Sequence, residues 1–89
     1  MEAERELCKK MITKFIDKKF AGPIDKCLYE YSKDIQYNYL IKLKYIFQII
    51  NPKSTTYNKK IVDNIKKKKI TPYELVNNNP WELYVEHWE

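Results

Sequence analysis

Apolar residues recur along this chain at intervals of three and four, the period of an amphipathic helix. From Glu2 to about Lys19 they fall at Ala3, Leu7, Met11 and Phe15, flanked by Cys8, Ile12 and Ile16, with Lys9, Lys10, Lys14 and Lys18 mostly beside or opposite them. Ala21-Gly22-Pro23 is expected to end this first helix, because Gly permits a left-handed cap and Pro cannot continue the hydrogen-bond ladder. A second helix is expected from Pro23, burying Ile24, Cys27, Leu28, Tyr31 and Ile35. The pattern resumes at Leu40, Leu43, Ile46, Phe47 and Ile50, and Ser32 to Tyr39 reads equally as loop or as continuous helix. Asn51-Pro52 is a firm stop, since the residue before proline is pushed out of the α region.

Lys53 to Tyr57 is polar and reads as a loop, with Ser54, Thr55 or Thr56 as the next N-cap. The third helix is expected to run to about Lys69, burying Tyr57, Ile61, Val62 and Ile65, and to end in four lysines that complement the negative end of its dipole. Two short turns follow. Thr71-Pro72-Tyr73-Glu74 has the form of a capping box with Pro at the first helical position, and Asn79-Pro80-Trp81-Glu82 repeats the logic. The chain then stops at Trp88-Glu89 without a C-terminal cap, which reads as a truncation. The pattern predicts an all-α fold, a three-helix bundle with one or two short C-terminal helical turns. Tyr37, Tyr39 and Tyr45 are expected at the edge of the bundle.

Composition narrows the class. Eighty-nine residues with 33% charged and 44% apolar positions make one soluble globular domain with a modest core. The net charge of +5 comes almost wholly from lysine, with Arg5 the single arginine. Lys is a flexible point charge, whereas Arg forks bidentately onto phosphate or guanine. This bias argues against reading DNA sequence through guanine edges and suits diffuse attraction to an acidic surface or a nucleic-acid backbone. Abundant Lys, Asn, Ile and Tyr is also what an A/T-rich coding sequence produces. Cys8 and Cys27, both on expected apolar faces, suit reduced thiols in an intracellular protein. No apolar run approaches a membrane span and the charged N-terminus is no signal peptide.

Catalytic chemistry finds little to work with. Two cysteines cannot make a tetrahedral zinc site, and His87 is the lone histidine. One glycine makes no phosphate loop, and Ser32, Ser54, Thr55, Thr56 and Thr71 sit where caps belong. The chain is not expected to be an enzyme by itself.

The order of the boundary signals resembles the central, polymerase-binding domain of TFIIS-type transcription elongation factors. A cysteine-bearing segment lies in the first helix (Glu6 to Met11), and an Ile/Leu-Tyr helix follows (Ile24 to Tyr31). A basic helix then runs into Asn-Pro (Lys42-Leu43-Lys44-Tyr45-Ile46 to Asn51-Pro52). Next come an Ile-x-Pro element (Ile70-Thr71-Pro72) and, about ten residues on, Glu82-Leu83. The ending from Asn79 to Trp88 is most similar to the homologues of large cytoplasmic DNA viruses such as African swine fever virus. Lys68 stands where the family has a Gly, Asn78 where it has a Met, and Lys or apolar residues replace several helix arginines.

The resemblance implies a domain at 1–79 that docks on the largest subunit of a multisubunit RNA polymerase near its jaw, with 80–89 starting a linker helix. A zinc ribbon, absent here, would hold the zinc and enter the polymerase pore to stimulate the polymerase's own cleavage of backtracked RNA. The implied state is a monomer without membrane contact, with at most weak nucleic-acid contact. It would act in viral factories of the host cytoplasm if viral and in the nucleus if cellular. The candidate polymerase contacts are Lys42 and Lys44 on the basic helix, Lys59 and Lys60, and the run Lys66, Lys67, Lys68 and Lys69. Trp81 and Trp88, two helical turns apart, are candidate linker or docking aromatics. Two other readings stay open: a basic helical module that binds nucleic acid alone, and a chromatin or transcription adaptor without cleavage activity.

Overall fold

Three helices, α1 (Glu2–Phe15), α2 (Lys18–Ser32) and α3 (Gln36–Ile50), pack against one another, and two short ones, α4 (Lys59–Lys66) and α5 (Pro72–Asn77), close the bundle against α3 and α2. The computed structural model describes residues 1–78, and among them there is no strand. The fold is thus the expected all-α three-helix bundle with a short C-terminal turn. The second expected turn at 79–82, the linker from residue 80, and Trp81, His87 and Trp88 lie outside the described residues.

The first boundary is not where the glycine and proline suggest. α1 stops at Phe15, and Asp17 in extended backbone caps α2 by accepting the Lys19 N–H at 3.1 Å. Gly22 and Pro23 therefore lie inside α2. Pro23 forgoes only the bond to the Lys19 carbonyl, and Lys19, Gly22 and Pro23 are all exposed, so water can serve that oxygen. The inward face also shifts. Cys8 and Ile12 of α1 are buried while Ala3 and Leu7 are exposed. On α2 the core side is Phe20, Ala21, Ile24, Asp25 and Leu28, with Tyr31 and Ile35 left outside.

Between α2 and α3 the chain turns through Lys33 and Asp34, both in left-handed backbone (φ 52° and 63°), which settles the 32–39 segment as a break followed by helix. Tyr39, expected at the bundle edge, is fully buried on the core side of α3 with Leu43, Ile46, Ile49 and Ile50, and Leu40 is exposed instead. Phe15 and Phe47 meet across α1 and α3 at 5.7 Å between ring centres. Asn51-Pro52 ends α3 as expected. The next cap is Asn58, not Ser54, Thr55 or Thr56: its side chain accepts the Ile61 N–H, and its own N–H donates to the Ile49 carbonyl at 2.9 Å. Thr71 and Glu74 form the expected capping box at α5, which buries Leu75 and Val76.

The single glycine thus occupies an exposed helical site where an added Cβ would meet nothing within 4 Å. Gly22→Ala is expected to stabilise the fold by about 0.5–1 kcal/mol, read as a higher urea midpoint at unchanged slope. A lower midpoint would contradict the placement of Gly22 inside α2.

Candidate interaction surface

The charges of this chain divide into those the fold consumes and those it leaves free. Asp25 lies on the core side of α2 and is 2% exposed. Its carboxylate accepts three hydrogen bonds from Arg5 of α1 (2.9–3.1 Å) and one from the Tyr39 hydroxyl of α3 at 2.7 Å, with the Lys9 ammonium 4.0 Å away. The Arg5 guanidinium also stacks 4.3 Å over the Tyr29 ring. The sole arginine is therefore a structural residue, bound bidentately where Lys could not follow. Its hydrogen bonds to Asp25 raise the Arg5 pKa. Burial, and the donation to Asp25, hold the Tyr39 phenol well above the usual range, and burial pushes the Cys8 thiol beside it up to about 11.

The free charge is concentrated in one place. Residues 59–69 carry six lysines against Asp63, a net charge equal to that of the whole chain, so the remainder is balanced. Lys59, Lys60, Lys66, Lys67, Lys68 and Lys69 are all exposed, and none is ion-paired among the described residues. α4 ends at Lys66, three residues before the expected Lys69. The Lys68 N–H donates to the Ile65 carbonyl and the Lys69 N–H to the Asn64 carbonyl, with Lys68 at φ 63°. This is a Schellman cap with lysine at the position that usually holds glycine. Backbone donors satisfy the helix end, and the four lysine side chains stay exposed. Lys59 and Lys60 sit at the opposite, positive end of α4, where their charge opposes the helix dipole.

The α3 lysines behave differently from each other. Lys42 is half-buried, with its ammonium 5.3 Å from the Tyr31 ring centre and 5.2 Å from that of Tyr45, and burial lowers its pKa. Lys44, two residues on, projects to another side of the helix and is exposed. The two do not form one patch. Beside them Ile35, Tyr37, Leu40 and Ile41 leave α3 apolar on its outer side as well.

Sequence reading overlooked the Asp25 cluster. Its signal was an acid between Ile24 and Leu28 on an apolar face, in a chain with one arginine. Cys8 and Cys27 are free thiols, one buried and one half-buried. Among the described residues no group of three or more His, Cys, Asp or Glu is placed to hold a metal ion, and no helix is long and apolar enough to cross a membrane.

Cys8 and Tyr39 are expected to make the fold less stable at alkaline pH. A thiol that keeps its proton in the folded state but releases it near pH 9 when unfolded adds stability below pH 9 that is lost as pH rises towards about 11. Tyr39 extends the loss upward in the same direction. Urea midpoints are expected to fall from pH 9 onward, and Cys8→Ala to remove the first part of that fall; a flat profile between pH 8 and 11 would contradict it. Comparison with protein-family models, with curated proteins and with solved structures finds no match.

Proposed function

We propose that this chain is the RNA polymerase-docking domain of a TFIIS-like transcript elongation and cleavage factor, one that helps rescue backtracked polymerase. The observation that carries the reading is at Lys68. The resemblance sets a family glycine at this position, two residues before the Ile70-Thr71-Pro72 element. The backbone of Lys68 has φ 63°, a conformation that glycine adopts freely and lysine only at a cost. A left-handed position at the point where the family keeps its glycine supports the kinship more specifically than any match of apolar residues. The cysteine segment on the core side of α1 and the Asn-Pro stop of α3 are compatible with it.

Docking in this reading is electrostatic. The lysines of 59–69 meet an acidic surface of the largest polymerase subunit near its jaw. An exposed ion pair contributes about 0–1 kcal/mol, so affinity comes from several pairs together, and their summed field speeds encounter. Added salt weakens both effects. Lys42, held between two tyrosines, contributes less than Lys44 or the 59–69 segment. The chain's own residues take no part in bond cleavage; that belongs to the polymerase, stimulated by the factor's zinc ribbon. Among the described residues no cluster of His, Cys, Asp or Glu fits a zinc ion, and Cys8 is sealed in the core. The site of action is the host cytoplasm for a viral factor and the nucleus for a cellular one.

Reversing Lys66, Lys67, Lys68 and Lys69 to Glu is expected to weaken co-purification with the cognate polymerase by about tenfold or more, roughly 1.4 kcal/mol per tenfold. Unchanged recovery would move the contact elsewhere. Tight binding of DNA or RNA by the isolated chain at physiological salt, with a steep salt slope, would favour a nucleic-acid-binding module instead.

A further inference from the structure

The start of α2 and the turn that joins α4 to α5 enclose a cleft of about 380 Å³. Phe20 and Ile70, both buried, form its floor, and Pro23 and Pro72 stand at its sides. Lys19 and Lys68 stand at its rim. The Lys19 ammonium lies 5.3 Å from the Phe20 ring centre, and neither rim lysine is ion-paired among the described residues. We propose that this cleft docks an acidic peptide segment of a partner protein that carries one large apolar side chain.

Charge and shape both select that occupant. The cleft opens beside the segment that holds the chain's whole net charge, so an approaching chain must be acidic. Its walls offer few polar groups. Pro23 and Pro72 have no N–H. The Thr71 hydroxyl is already engaged by the Glu74 N–H at 3.1 Å, and the Glu74 carboxylate by the Thr71 N–H at 3.0 Å. What remains is an apolar floor between two ammonium groups, which suits one Leu- or Phe-sized side chain flanked by carboxylates. Nucleic acid fits less well, because the lining holds one aromatic ring and no arginine, too little for successive bases to stack on. Two prolines also fix the walls in advance, which lowers the ordering cost of binding.

The proposal rests on the reading that residues 59–69 face a protein partner, and it names the chemistry that partner presents. The test uses the full chain and a short labelled peptide of Asp and Glu with one central Leu, next to the same peptide with Ser in place of Leu. The Leu peptide is expected to bind about five- to fiftyfold tighter, a share of the transfer energy of one buried Leu, and to shift the amide signals of Phe20 and Ile70. Lys19→Glu and Lys68→Glu are expected to weaken binding of the Leu peptide by about tenfold, while the double variant K10E/K14E, on the exposed side of α1, retains it. Equal affinity for both peptides would overturn the proposal, as would amide shifts confined to the outer side of α3. So would tighter binding of oligo-dT in the same cleft. No polymerase enters this assay. Peptide binding without polymerase co-purification would therefore leave the cleft standing and sink the polymerase reading, and the converse would sink the cleft alone.

Discussion

A carboxylate inside an apolar core must find partners or the fold fails. Asp25 finds one on each neighbouring helix, and the rest of the bundle follows from that requirement. Arg5 has to come from α1 with its fork in plane, and Tyr39 has to come from α3 with its hydroxyl inward. Those two demands set the rotation of α1 and α3 about their own axes. They explain why the α1 core line runs through Cys8 and Ile12 and leaves Leu7 exposed, and why α3 buries Tyr39 and exposes Leu40. A purely apolar contact would tolerate a slip of one side chain. A carboxylate that takes four short hydrogen bonds does not, because any slip leaves a buried charge unpaired.

The same cluster separates stability from surface chemistry. It takes up the only arginine, so the exposed basic groups are lysines, and the densest of these surround α4. There the balance is close to even. Lys59 and Lys60 oppose the helix dipole, Lys66 and Lys67 complement it, and Lys68 carries the strain of a left-handed backbone. The lysines of this segment thus return little to the stability of the fold.

Much of the fold was legible where a local signal agreed with the tertiary demand. Asn51-Pro52 ends α3, and the Thr71-Pro72-Tyr73-Glu74 box starts α5. Ile61, Val62 and Ile65 form the buried side of α4. The misreadings share a cause. Gly22 and Pro23 are strong punctuation taken alone, but Asp17 caps the helix five residues earlier and the exposed Pro23 costs it a single bond. Lys33, Asp34 and Lys68 adopt the left-handed backbone that sequence reading assigns to glycine, so the α2–α3 break stayed open and the end of α4 was drawn too late. For the surface, sequence singled out the lysine run and its neighbours. The half-burial of Lys42 between Tyr31 and Tyr45, and the cleft shared by α2 and the α4–α5 turn, depend on residues far apart in the chain and left no local signal. Trp81 and Trp88 lie beyond the described residues.

Asp25 in the core and the exposed lysines of 59–69 make opposite demands on two variants. Equilibrium urea unfolding compares them directly: Asp25→Ala against a chain in which Lys59, Lys60, Lys66 and Lys67 are changed to Gln. The first is predicted to lose about 1–3 kcal/mol, the cost of leaving the buried Tyr39 hydroxyl without its acceptor, and the second to unfold within about 0.5 kcal/mol of the natural chain. A natural-like midpoint for Asp25→Ala, or a large loss on neutralising the lysines, would contradict the account.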